Sequence, residues 1–245
     1  MATATSAPVT RVERAFIRVG GPHARDYLQR MVSNDVEALA VGAACDALLL
    51  TPKARIIAPV RVLRRADDDF LISTEPELGE TVRAHLTRMR LRAQCDIDTE
   101  EHEAWHTLDG DEIIDTQPAT ELVADETYER MRIERRIPRW GCELDDAILP
   151  AEAGLDATHI SFTKGCYPGQ EPIARQHYRG KVNRRLRVFD VDGSASPGDE
   201  IVHGEKVVGR ITSAVDGVAL GYLRTEIPDD AELSVASRRA KVRPA

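Results

Sequence analysis

The texture of the chain changes near residue 186, and that change limits the fold more than any other feature. After Arg184 the runs 186–191, 200–202, 206–212, 217–222 and 233–235 are short and strand-like, with Gly and Pro turns between them. Short strands at such spacing close into small barrels or sandwiches. The longer stretch ahead of them mixes helical and strand periods. The pattern therefore predicts an α+β chain in two parts, residues 1–185 and a C-terminal β-barrel over 186–245.

Within the first part, residues 15–19 read as a strand broken by Gly20-Gly21-Pro22. Ala24, Tyr27, Leu28, Met31 and Val32 fall at helical spacing, and Ser33-Asn34-Asp35 ends that helix. Residues 43–73 read as an antiparallel meander of strands 45–50, 56–63 and 70–73, turning at Thr51-Pro52-Lys53-Ala54 and Asp67-Asp68-Asp69. Leu78, Val82, Leu86 and Met89 line one face of a second helix, acidic at its start and Arg-rich at its end, as the helix dipole favours. Residues 93–97 read as a further strand, 98–121 as an acidic surface segment with at most short structure, and 127–136 as a helix stopped by Pro138. Residues 145–156 read as a loop, and residues 1–10 as a frayed leader without the apolar run of a signal peptide.

Charge and cysteine usage exclude several classes. The net charge is −8, so the surface as a whole does not suit nucleic acid. No stretch approaches the roughly 20 apolar residues that span a bilayer. Cys45, Cys95, Cys142 and Cys166 form no C-x-x-C pair and match no zinc spacing, which points to free thiols in a reducing, cytoplasmic setting. His102 and His106 stand four apart and would share one face of a helix, but no third ligand accompanies them. No metal site is expected.

One loop carries chemistry. Cys166 lies in Lys164-Gly165-Cys166-Tyr167-Pro168-Gly169-Gln170-Glu171. Gly165 and Gly169 permit sharp turns and close approach of a ligand, and Pro168 stiffens the loop. Residues 164–187 hold seven Lys or Arg and one acid, a net +6 that leaves −14 for the rest of the chain. A positive field raises the thiolate fraction of a cysteine and draws in anionic ligands. The bland alternative is a small buried thiol beside a solvated basic face. Gln170 and Glu171 are either loop braces or ligand contacts. Arg175 pairs with Glu171 if the stretch is helical, which Pro172 opposes. His177 reads as a surface histidine.

The same residues carry a resemblance. The loop, with Ala174-Arg175 and Tyr178-Arg179-Gly180 after it, resembles the K-G-C-Y-x-G-Q-E signature of the YgfZ family, whose mitochondrial relatives are named for iron–sulfur assembly. Tyr27-Leu28-Gln29, Asn34-Asp35-Val36, Thr51-Pro52-Lys53 and Arg132-Ile133-Glu134 agree with other family segments, so the resemblance covers most of residues 12–225. The family is similar to the T-protein of glycine cleavage. The resemblance implies a T-protein-like folate-binding fold, with α+β subdomains around a central opening that holds tetrahydrofolate or a derivative, and a C-terminal β-barrel.

By the same resemblance Cys166 is the family's characteristic cysteine, in a catalytic or cluster-handling role. Arg132 matches an arginine that T-proteins use for folate, whose carboxylates suit bidentate binding. Tyr128 falls where some members place a tryptophan against the pterin. Lys164, Gly165, Tyr167, Gly169, Gln170, Glu171 and Arg175 complete the expected ligand set. The function implied is a tetrahydrofolate-binding factor that assists assembly or repair of iron–sulfur clusters, with a transient cluster and with client enzymes or assembly machinery as partners. A tetrahydrofolate-dependent aminomethyl or one-carbon transferase is the alternative, although no counterpart of the T-protein's catalytic aspartate is evident. An RNA-binding role for residues 175–187 is disfavoured by the scarcity of aromatics for base stacking.

Overall fold

The computed structural model describes residues 8–244. The first strand, β1 (Val9–Val12), leads into β2 (Ala15–Gly20) and helix α1 (Ala24–Met31). The meander follows as β3 (Ala44–Leu50), β4 (Ile56–Ala66) and β5 (Asp69–Thr74), then α2 (Gly79–Met89) and β6 (Asp96–Glu100). These strands form an antiparallel sheet in the order β3-β4-β5-β2-β6. Alternation along β4 turns Ile56, Ala58, Val60 and Val62 inward. The two helices cover that face, burying Leu28, Val32, Val82 and Leu86 against Ile17, Val19, Phe70 and Ile72. A buried hydrogen bond of 2.6 Å from the Tyr27 hydroxyl to the Leu86 carbonyl joins α1 to α2.

A second, three-stranded sheet runs in the order β1-β7-β8, with β7 (Ala104–Thr107) and β8 (Glu112–Ile114). Helix α3 (Asp125–Glu134), the single turn α4 (Pro150–Ala153) and α5 (Gln170–Arg179) then lead to the barrel. Its strands are β9 (Arg184–Val191), β10 (Glu200–His203), β11 (Lys206–Val215), β12 (Val218–Arg224), β13 (Leu233–Val235) and β14 (Arg238–Val242). They close in the order β10-β11-β12-β9-β14-β13 around Phe189, Ile201, Ile211, Leu223 and Val235. A shared core joins the barrel to the rest. Leu48, Leu50 and Ile56 of the meander, Ile133 of α3 and Ile173 of α5 pack with Leu186, Leu220 and Tyr222.

Several expectations need correction. Within the presumed leader, residues 1–7 lie outside the described residues, whereas Val9 and Thr10 are buried in β1. The segment 98–121 supplies β7 and β8, and Trp105 is buried. Its pairing partner β1 lies nearly a hundred residues upstream, so local pattern does not reveal it. The strand expected at 93–97 begins at Asp96, and the loop 145–156 contains α4. Pro172 does not prevent a helix, because it falls in the first turn of α5, where no intrahelical N–H bond is due. The barrel has a sixth strand, β14, in which Ala240 and Val242 are buried between exposed charges.

At the β11–β12 pairing, Gly221 lies opposite Ile211, and a Cβ placed on it would come 2.5 Å from the Arg210 carbonyl oxygen. Gly221→Ala therefore forces the strands apart and is expected to lower stability by about 1–3 kcal/mol, read as a shift of the urea midpoint at unchanged slope.

Candidate functional site

A cavity of about 700 Å³ opens where the meander, β8, α3 and the segment after α4 meet. That volume suits a small-molecule site. One end is built from the β1–β8 sheet and α3. There Glu112, with a side chain 4 % exposed, accepts from Arg14 Nε at 3.1 Å and from Ser73 Oγ at 2.5 Å. His106 Nε2 stands 3.4 Å from the same carboxylate, and His106 Nδ1 lies 2.7 Å from the Tyr128 hydroxyl. Burial raises the Glu112 carboxyl's pKa, but the His106 hydrogen bond, the Arg14 charge and the Ser73 bond outweigh it and hold the group down at about 2. Burial pushes the Tyr128 hydroxyl up. Val60, Met131, Ile137 and Leu155 add apolar lining, and Arg135, Arg136 and Arg139 add cations. Arg135 pairs with Asp109 at 3.2 Å and Arg139 with Glu129 at 3.6 Å, while Arg136 has no ion-pair partner among the described residues.

Arg132 lines this cavity but has no donor left for a ligand. Nε and Nη2 bind Glu129 at 2.9 and 2.5 Å, Nη1 binds the Ile137 carbonyl at 2.7 Å and Glu143 at 2.8 Å, and Nη2 also binds Ser213 Oγ at 2.7 Å. It is 2 % exposed. All five N–H groups of the guanidinium are thereby used. The expected folate clamp is instead the pin of a buried network that ties α3 to barrel strand β11.

The Cys166 loop lies elsewhere. None of residues 164–171 lines the cavity, which corrects the expectation that the thiol and its neighbours face the central opening. Lys164, 8 % exposed, spans from the loop to the C-terminal end of α1, where Nζ donates to the carbonyls of Gln29, Val32 and Asn34 at 2.6, 2.7 and 2.8 Å. A cation suits that end of the helix dipole. Burial lowers its pKa to about 8, against the raising influence of Asp35, Cys45 and Glu37. Tyr167 is buried in the shared core with its hydroxyl pushed up to about 12 by burial, and Lys164 Nζ sits 5.3 Å from its ring centroid. Gly169 takes φ +84°, and a Cβ there would approach the Thr51 carbonyl oxygen at 2.6 Å. Gly165 is exposed, with nothing within 4 Å of a Cβ.

Lys164, Tyr167 and Gly169 thus hold the loop down, and Cys166 stands exposed at its tip. Gln170 is half-buried at the start of α5, while Glu171 and Arg175 are exposed and form no ion pair among the described residues. The other thiols differ. Cys95 is buried, burial pushes Cys45 up to about 11, and Cys142 Sγ accepts from Arg139 Nη2 at 3.3 Å. His102 and His106 lie on the approach to β7 and in β7, not on a helix, and engage separate carboxylates. Among the described residues no cluster of three His, Cys, Asp or Glu side chains is placed to hold a metal ion. No helix among them is long and apolar enough to cross a membrane.

The sequence reading missed His106 as a cavity residue, and it missed Glu112 and Arg136 altogether. No motif marks them. A buried carboxylate in an acidic surface-like segment carries no local signal until its strand is paired.

Comparison with known proteins agrees with this architecture. Residues 183–245 match the family described as the CAF17 C-terminal beta-barrel domain. An uncharacterised protein of Haemophilus influenzae is 27 % identical over 240 aligned residues, covering 86 % of this chain and 85 % of that protein. A mitochondrial iron–sulfur cluster assembly factor IBA57 homolog of Chaetomium globosum is 25 % identical, covering 93 % of this chain and 65 % of that protein. The chain thus spans just under two thirds of that mitochondrial relative's length. The crystal structure of the glycine cleavage system aminomethyltransferase T from Bartonella henselae superposes with a TM-score of 0.85 at 15 % identity, over 99 % of this chain and 86 % of that one.

The molecule therefore has the fold of the glycine-cleavage T-protein. Within that fold class, its C-terminal barrel matches the CAF17 C-terminal beta-barrel domain, and most of its length is similar to an iron–sulfur cluster assembly factor IBA57 homolog.

Two outcomes follow from the geometry. Lys164→Met leaves three helix-end carbonyls without their donor and is expected to cost about 2–4 kcal/mol, with the Cys166 loop becoming the first point of limited proteolysis. Glu112 has a pKa well below its unfolded value, so its stabilisation is complete above the usual carboxylate range and fades as pH falls toward 2. Its contribution is about 3 kcal/mol. Glu112→Gln should flatten the acid limb of a urea-midpoint profile taken from about pH 5 to 3; an unchanged limb would remove Glu112 from this role.

Proposed function

We propose that the chain is a tetrahydrofolate-binding factor that assists assembly or repair of iron–sulfur clusters in selected enzymes of a reducing, cytoplasmic compartment. The observation that carries this reading is a division of labour. A cavity of folate size is separate from an exposed cysteine on a braced loop. The relatives named for iron–sulfur cluster assembly support the second half, and the T-protein fold supports the first.

The cavity fits a reduced folate in size and in the kinds of group that line it. Tyr128 and His106 offer ring faces, with the ionised Glu112 behind them as an acceptor for pterin N–H groups. The apolar lining suits the aminobenzoyl ring, and Arg136, without an ion-pair partner among the described residues, suits a glutamate carboxylate. Bound there, the cofactor would supply a one-carbon carrier. The residues on this side bind and orient, and no carboxylate aligned for T-protein-type chemistry is assigned. On the other side, the Cys166 thiolate would donate a lone pair to an iron of a passing cluster, its proton leaving to solvent. The cluster and the client or assembly protein are cargo and partner, not residents.

The test combines binding with reactivity. Tetrahydrofolate is titrated into the protein, and maleimide labelling of the four cysteines is followed with and without it. The expected result is saturable binding, fastest labelling at Cys166, and no protection of Cys166 by the folate. Cys166→Ser should bind tetrahydrofolate normally but fail to restore iron–sulfur enzyme activity in cells lacking the protein. Full restoration by that variant, or fastest labelling at another cysteine, would sink the cluster-handling role.

A further inference from the structure

The three-stranded sheet meets the five-stranded one through a small apolar contact. Phe16 of β2, Leu71 of β5 and Ala104 of β7 are buried there, with Val12, Leu63 and Ile114 partly buried around them. The order β1-β7-β8 puts β8 at an edge of its sheet, 3 residues long and paired to β7. So short an edge strand is weakly held by its own pairing. Yet β8 and the turn before it supply Glu112 and Gly110 to the wall of the central cavity, and β7 supplies His106. Polar ties must therefore fix β8 where the cavity needs it.

One tie is at the cavity, where Glu112 meets Ser73 and Arg14. The other lies past the opposite end of the strand. Asp115, directly after β8, is held at φ +54°, a left-handed conformation that is unfavourable for a non-glycine residue. Its Oδ1 accepts from the Glu103 backbone N–H at 3.1 Å, and its Oδ2 lies 2.5 Å from His102 Nδ1. His102 Nε2 lies 2.9 Å from Glu100 Oε2, at the end of β6. The His102 ring stands edge-on to Phe16 of β2, with centroids 5.0 Å apart. Glu100 also accepts from Arg65 of β4 at 2.6 Å, and Arg65 and Arg18 both bind Asp69 of β5 at 2.7 Å.

A neutral imidazole has one N–H and one lone pair, so it can donate to only one of its two carboxylates; the imidazolium donates to both. Both acids stay charged. The Arg65 bond, helped by His102 and opposed by burial, holds the Glu100 carboxyl at about 2. Burial raises Asp115, but the His102 and Glu103 N–H bonds outweigh it and hold the group below its usual range. Burial lowers the His102 pKa, but its bonds to Asp115 and Glu100 outweigh burial and raise it above the usual 6.5.

We infer that His102 is a protonation-dependent clasp: as the imidazolium it ties the end of β8 to the end of β6 and so holds Glu112 in the cavity wall, and as the neutral ring it lets go of one carboxylate and frees β8 to fray. The folded pKa is the raised one, so the clasp is complete below the unfolded imidazole value and is lost as pH rises through the folded value. His102 is a positioning residue here, and the wall depends on it whatever ligand the cavity takes.

The test is hydrogen exchange on the whole protein, resolved to segments and corrected for the intrinsic pH dependence of exchange, beside an NMR titration of the individual His rings. Between about pH 6 and about pH 9, protection of residues 104–114 should fall about tenfold while the meander keeps its protection. The midpoint should coincide with titration of the His102 ring and not with that of His106, which lies in the same segment. His102→Arg, a lasting cation with donors for two carboxylates, should keep the protection across this range. His102→Gln should lack it throughout. Constant protection in the unaltered protein would overturn the inference, as would a midpoint that follows His106, a fall that persists in His102→Arg, or full protection in His102→Gln. Should either variant fail to fold, the match between the two midpoints in the unaltered protein decides.

Discussion

The buried ion pair between Arg132 and Glu143 fixes where the barrel sits, and the central cavity takes its shape from that placement. Two charges out of water are costly unless every remaining donor and acceptor is matched. Here they are matched. Glu129, the Ile137 carbonyl and Ser213 take the other guanidinium N–H groups, Ser213 Oγ donates to Glu143 Oε1 at 2.6 Å, and the Arg139 backbone N–H donates to Glu143 Oε2 at 3.0 Å. Atoms from α3, the segment after it and barrel strand β11 thereby meet at one point. The apolar core around Leu186, Leu220 and Tyr222 packs the same junction, but it is tolerant of small slips. The charged network is not tolerant, because sliding either side by one residue would strand a buried charge.

The same reasoning separates binding groups from building groups across the whole site. An arginine already saturated by protein acceptors cannot also clamp a ligand, however well its sequence position fits. Arg136, four residues along, is unsaturated and faces two hollows. Lys164 shows the converse economy. Its ammonium is buried against the carbonyls at the end of α1, so one of the seven cations that make residues 164–187 electropositive in sequence is consumed in holding the loop in place.

Much of this was legible beforehand, and what was hidden was hidden for a physical reason. The meander and helices α1 and α2 follow from local periodicity, since neighbours in sequence are neighbours in the sheet. The barrel was legible from its turn residues, apart from β14, whose inward Ala240 and Val242 are outnumbered by Arg and Lys. The β1–β7–β8 sheet was not, because Val9 pairs with Thr107 and nothing within either segment announces the other. Cys166 was legible as an exposed loop thiol from its signature. Its separation from the cavity was not, for it depends on Lys164 reaching back more than a hundred residues to α1.

That separation shapes any link between a bound ligand and the thiol. A ligand in the cavity touches the segment Thr158–His159, which lines its wall. The Thr158 carbonyl accepts from Asn34 Nδ2 at 3.0 Å, and the His159 carbonyl accepts from Ser33 Oγ at 2.6 Å. Asn34 in turn gives its own carbonyl to Lys164 Nζ, which sets the base of the Cys166 loop. The cavity wall and the thiol loop therefore meet at Asn34, just past the end of α1, the wall through its side chain and the loop through its carbonyl. Hydrogen bonds of this length are directional, so tightening on one side fixes the geometry offered to the other. A chain in which the cysteine lined the cavity would need no such connection; in this one a few polar contacts join the cavity wall to the base of the cysteine loop.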